Sequence, residues 1–98
     1  MSTAKLNETL AVFSGAVTVM SFDSDQPEDE SSETRQEQRD RCALKFAAVR
    51  ENWDKDPRLL AKLEELTSEG IAAYAAGEFD KGDKAVMGID EILWSLRE

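Results

Sequence analysis

Three pieces of helix punctuation constrain this chain more than anything else in it. Thr34-x-x-Glu37, Asp56-Pro57 and Gly77 stand roughly twenty residues apart, and each marks the start or stop of a helical run. Thr34 and Glu37 form a capping box: the hydroxyl takes the amide three residues on, and the glutamate reaches back to the cap amide. Asp56 is an N-cap, and Pro57 follows at N1, where its missing N–H costs nothing. Gly77 suits a left-handed C-cap. Between these marks the apolar residues keep helical spacing. Cys42, Phe46, Val49 and Trp53 fall on one stripe, with Ala43 and Ala47 beside it, and Leu59, Leu60, Leu63, Leu66, Ile71 and Tyr74 on the next. A last helix, capped by Asp80 or Asp83, turns Val86, Ile89, Leu93 and Leu96 inward. Gly70 lies inside the middle helix, where glycine costs about 1 kcal/mol relative to alanine, and so predicts a close neighbour.

The first third of the chain is less determinate. Leu6, Leu10, Phe13, Val17 and Met20 recur at 4-3-4-3 spacing, as one face of a helix would. The run "AVTVMSF" is nevertheless rich in β-branched residues, and Ser14-Gly15 could turn a short β-hairpin. Spacing held over the whole segment favours the helix, with the hairpin as the alternative. Asp23 to Glu33 is dominated by Asp and Glu and carries no large apolar side chain, so it reads as a solvated linker. The expected architecture is all-α. Residues 34–98 form a small bundle of three helices. They follow an apolar segment, 1–22, and an acidic flexible linker, 23–33, that is excluded from the core.

Composition narrows the function. The chain has 98 residues, 12 basic and 21 acidic, for a net charge of −9, with no histidine and one cysteine. Its field repels nucleic acid and anionic membrane and favours basic protein partners. Without histidine there is no imidazole base or metal ligand, and a lone cysteine excludes an intramolecular disulfide. Cys42, on an apolar stripe, is expected as a small buried hydrophobe rather than a nucleophile. Asp23, Asp25 and Asp29 are spaced like calcium ligands, but an EF-hand loop counted from Asp23 wants Gly and Glu where Glu28 and Thr34 stand. No cofactor or metal is expected, and no enzyme. The run Leu10–Phe22 has the length of a signal-peptide core, yet it lacks the basic start and the small-residue cleavage site, and no run is long enough to span a bilayer. A reducing cytoplasm fits these features.

The last helix carries more. Placed at about 100° per residue, Val86, Ile89, Ile92, Leu93 and Leu96 fill one arc, and Met87 and Trp94 extend it beyond Asp90. Such a width calls for a cover. That cover is the N-terminal segment, a second copy of the chain in a homodimer, or a partner protein, since Trp and Met are enriched in interface cores. Asp90 and Glu91 would give the surface its charge. Tyr74 and Phe79 flank the Gly77 turn, where they either staple the hairpin or join the surface. The candidate partner-binding residues are therefore Met87, Trp94, Asp90, Glu91, Tyr74 and Phe79.

The stretch "LAKLEELTSEGIAAYAAGEFDKGDKAVMGIDEIL", Leu60–Leu93, resembles the toxin-binding tails of bacterial type II antitoxins. The positions that carry the likeness are Glu69, Gly70, Ile71, Ala72, Ala73, Gly77, Glu78, Phe79, Asp83, Ile89 and Asp90. The resemblance implies a helix laid across a small basic toxin, covering its active surface. Many such antitoxins open with a basic DNA-binding ribbon-helix-helix unit. Here the first segment is neutral and an acidic stretch follows it. Gly70, Tyr74, Gly77 and Phe79 are also spaced as in a tetratricopeptide repeat, with Gly82 where that repeat has alanine. One partial repeat implies only a packed helix hairpin. The leading expectation is a non-enzymatic, antitoxin-like inhibitor of a basic protein. The alternative is a phage-encoded inhibitor, an anti-CRISPR or nucleic-acid mimic, whose carboxylates Glu64, Glu65, Glu69 and Glu78 would fill a basic groove.

Overall fold

A computed structural model describes residues 4–22 and 34–96 of the chain, all of the regular structure being helical: α1 Ala4–Phe22, α2 Arg35–Glu51, α3 Pro57–Ala75 and α4 Phe79–Ser95. The helix ends follow from local chemistry. At Thr34 both halves of the capping box are made. Its hydroxyl accepts the Glu37 N–H at 3.1 Å, and the Glu37 carboxylate accepts the Thr34 N–H at 3.2 Å. Asn52 closes α2 by donating its side-chain amide to the Ala48 carbonyl at 2.8 Å. Trp53 then donates its indole N–H to the Asp56 carbonyl at 3.0 Å, which folds the short connector back on itself. Asp56 accepts the Arg58 N–H at 2.9 Å, with Pro57 at N1.

The α3–α4 turn is a Schellman motif. Gly77 has φ 77°, its N–H donates to the Tyr74 carbonyl, and the Glu78 N–H donates to the Ala73 carbonyl at 2.8 Å. Helix α4 starts directly behind it, at Phe79, with Glu78 as an N-cap that makes no side-chain cap bond. The expected caps, Asp80 and Asp83, therefore lie inside α4. A motif that already satisfies the end of α3 leaves no room for a separate cap residue.

The three-helix expectation is corrected to four. Residues 4–22 are a helix, not a hairpin, and that helix belongs to the core. Of the eight largest fully buried side chains, Leu6, Phe13, Val17 and Met20 come from α1, beside Cys42, Val49, Leu63 and Ile89. The β-branched residues of α1 stay helical because burying one whole face outweighs their modest intrinsic preference. Phe13 meets Phe46 of α2 with ring centres 5.6 Å apart and planes at 59°, the tilted arrangement aromatic pairs prefer. Each helix packs on its sequence neighbour, and α4 returns to α1, so the four close into a ring around one core. The acidic segment 23–33, read as a linker, lies outside the described residues, as does most of the calcium-like spacing.

Helices α3 and α4 make the most extensive contact, and glycines allow it. Gly70 is buried, but a Cβ there would sit 3.5 Å from that of Ala85, an ordinary contact. The tight positions are on α4. A Cβ at Gly82 would come within 2.5 Å of the Tyr74 ring, and one at Gly88 within 2.9 Å of a Leu66 methyl. The buried hydroxyls of Thr9 and Thr67 bond back to the carbonyls of Leu6 and Leu63, so neither is left unsatisfied.

Candidate functional site

The inner face of α4 buries Gly82, Ala85, Val86, Ile89 and Leu93, with Ile92 and Leu96 half-buried beside them. Met87 and Trp94 point elsewhere. They are one heptad apart, 64% and 68% exposed, and about a quarter-turn away from the buried arc. Neither belongs to the core or to the half-buried apolar residues packed against it. The same rotation places Asp80, Asp83, Asp90 and Glu91 along this outer face, so two large apolar side chains stand among four carboxylates.

Asp90 and Glu91, both exposed, have no cation within ion-pair distance among the described residues. Three carboxylates on α3 and at the α3–α4 turn are partnered. Glu64 accepts from the Arg50 guanidinium at 3.2 Å, Glu65 lies 3.9 Å from Lys62, and Glu78 lies 3.8 Å from Lys81. These exposed pairs add little stability, but they dilute the negative field where they sit. The outer face of α4 therefore carries a net negative charge around Met87 and Trp94, with Lys84 the cation that shares it.

Tyr74 and Phe79 separate in the structure. Tyr74 is buried in the α3–α4 hairpin with its ring over Gly82, and its phenol donates to Asp83 at 2.7 Å. The Ser21 hydroxyl of α1 lies 3.2 Å from the same phenol oxygen, so one side chain ties three helices. Phe79 remains partly exposed at the start of α4. Sequence spacing brings the two residues to one turn and does not tell which of them faces inward; the glycine at position 82, which makes room for a ring, is the signal that could have done so. The structure thus gathers Met87, Asp90, Glu91 and Trp94 on one face and assigns Tyr74 to the hairpin interior.

Cys42 is fully buried, and desolvation pushes its thiol from 9.0 up to about 11. The Tyr74 phenol is pushed from 10.0 to about 12, mainly by burial, with the Asp83 carboxylate adding to the rise and the Ser21 hydroxyl opposing it. Both shifts mean that the folded state holds a proton that the unfolded chain releases earlier. The stability they carry is full below pH 9, where both groups are protonated in either state, and is lost as pH climbs toward 11 and 12. Thermal melts followed by circular dichroism should show a midpoint that drops above pH 9. In Cys42→Ala the drop should begin about one pH unit later, when Tyr74 starts to titrate in the unfolded chain.

Among the described residues no three of Cys, Asp or Glu come together as metal ligands, and no helix is long and apolar enough to cross a membrane. Comparison with protein-family models, with curated proteins and with solved structures finds no match to this chain.

Proposed function

We propose that this protein is a non-enzymatic inhibitor that docks the outer face of α4 on a basic partner protein. The observation that carries the proposal is the exposure of Met87 and Trp94 one heptad apart, beside the unpaired carboxylates of Asp90 and Glu91. An aromatic and a thioether ringed by charge match the make-up of interface centres, where a buried anchor binds and a polar rim steers the approach. The likeness of residues 60–93 to antitoxin tails supplies the class of partner, a small basic toxin whose active surface the α3–α4 hairpin would cover. The buried thiol of Cys42, held protonated with no histidine to activate it, supports the non-enzymatic part of this reading. A protein that works on such a toxin would act in the cytoplasm.

The test is a pull-down of the wild-type protein and of the double variant Met87→Ala/Trp94→Ala, washed at low and at high salt. Both side chains are largely exposed, so the variant should keep its stability within about 0.5 kcal/mol. Loss of a Trp anchor typically costs about 2 kcal/mol or more of binding, about 30-fold in affinity. A small basic protein held by the wild type at high salt and lost by the variant is the expected result. Binding that the variant retains would overturn the α4 reading. A nucleoprotein complex released by salt would favour the nucleic-acid mimic, in which spread carboxylates rather than Trp94 make the contact.

A further inference from the structure

Helix α1 has two faces, and the core uses one. On the other side, Ala4, Glu8, Ala11, Gly15, Thr18 and Phe22 follow one another at 4-3-4-3-4 spacing, and all of them are exposed. This is the spacing of a helix–helix seam. Val12 and Val19 flank it at 47% and 38% exposure, and Phe22 ends it at 76%. A helix that is apolar on its outer as well as its inner side is normally covered on both.

We infer that this outer face of α1 pairs with the same face of a second copy of the chain, the two helices running antiparallel. Charge selects the occupant. From Asn7 to Phe22 the helix has one charged residue, Glu8, in a chain of net charge −9. A second acidic copy is repelled by charged faces and can approach most closely where charge is missing. A basic partner gains nothing from this surface. An anionic membrane finds a single lysine on α1, Lys5, which falls short of the basic polar face that interfacial helices carry. Shape and charge together select the direction. A parallel pair would set Glu8 against Glu8. The antiparallel pair sets Phe22 against Ala4, Thr18 against Glu8 and Ala11 against Gly15, with bulk against small side chains and a hydroxyl beside the carboxylate. At Gly15 a Cβ would meet nothing within 4 Å inside the protomer, so the middle of the seam is open for close approach. The contact stands on α1 alone and leaves the outer face of α4 free.

A seam of one helix on one helix is at the small end of interfaces, where contacts are weak, with dissociation constants of about micromolar to millimolar. Sedimentation equilibrium of the full chain from about 1 µM to about 1 mM brackets that range and should show a monomer–dimer transition. Gly15→Glu puts a charge at the centre of the seam without touching the core. It should raise the dissociation constant at least tenfold while helical content by circular dichroism is kept, since glutamate favours the helix more than glycine does. Mixing Ala11→Cys chains with Gly15→Cys chains under mild oxidation should give the mixed disulfide in excess over either like pair. A wild-type chain that stays monomeric throughout would overturn the inference. So would a dimer that survives Gly15→Glu, or one lost instead in Met87→Ala/Trp94→Ala, which would move the contact to α4. Co-flotation of the wild type with phosphatidylcholine vesicles, abolished by Gly15→Glu, would assign the face to lipid and overturn it as well.

Discussion

Phe13→Ala is expected to lower the free energy of unfolding by about 3–5 kcal/mol, the cost of removing a fully buried aromatic side chain from a close-packed core. Phe13 is wholly enclosed, in tilted contact with Phe46 and in one cluster with Val49, Leu63 and Ile89. Its loss therefore leaves a cavity where α1 faces α2. For a domain whose total stability is about 5–15 kcal/mol, this is a third or more of the whole. Urea unfolding followed by far-ultraviolet circular dichroism measures it directly. The same substitution distinguishes the two architectures sharply. Were the body a three-helix bundle with residues 1–22 lying outside it, Phe13→Ala would be nearly neutral. A change below about 1 kcal/mol would therefore count against α1 as a core helix.

Gly82→Ala is expected to destabilise the fold by about 1–3 kcal/mol, although alanine is the better helix former by about 1 kcal/mol. The new methyl would lie within 2.5–2.7 Å of three ring atoms of Tyr74. That ring cannot swing aside cheaply, because its hydroxyl is bonded to Asp83 and sits against Ser21 of α1. The added methyl must push α4 away from α3 or break the contact to Asp83. Gly15→Ala is the natural control. It adds the same methyl at an exposed helical position with open space around it, and should stabilise by up to about 1 kcal/mol. Opposite signs for the two substitutions, read from paired denaturation curves, isolate the contribution of packing from that of helix propensity. Equal signs would mean that the α3–α4 contact yields easily.

The residues that could be read correctly in the sequence are those whose reason is local. Thr34 with Glu37, Asp56 with Pro57, and Gly77 each act within one turn, so their roles needed no knowledge of the fold. The stripe Cys42, Phe46, Val49 was legible for a related reason, since helical spacing marks a face whatever that face packs on. Membership of α1 in the core was not legible. Its β-branched residues and Ser14-Gly15 carry a hairpin signal of their own, and the acidic stretch behind it suggested a separate element. What decides the matter is the partner surface made by Phe46, Val49 and Ile89, which lies far along the chain. Gly82 was opaque in the same way, because a glycine inside a helix shows its propensity cost and hides the ring that requires it. Asp83 looked like a cap and instead accepts a hydrogen bond from the Tyr74 hydroxyl. On the candidate surface, spacing placed Met87 and Trp94 at the edge of the apolar arc and left open whether the N-terminal segment covers them; they stand exposed.

The ring order of the helices also bears on how the chain reaches this state. Contacts of α1 with α2, α2 with α3, and α3 with α4 join neighbours in sequence, while the contact of α4 with α1 joins the two ends of the helical array. Local contacts form before much chain entropy is lost, and helical bundles rich in them fold in microseconds to milliseconds. The closure of α4 on α1 must gather in most of the chain before it is rewarded, and it is less extensive than the contact of α3 with α4. The α3–α4 hairpin, held at its turn by Gly77, is thus the natural nucleus, and joining α1 to α4 is the late step. Substitutions in the hairpin should then slow folding, and those on the α1–α4 contact should instead hasten unfolding.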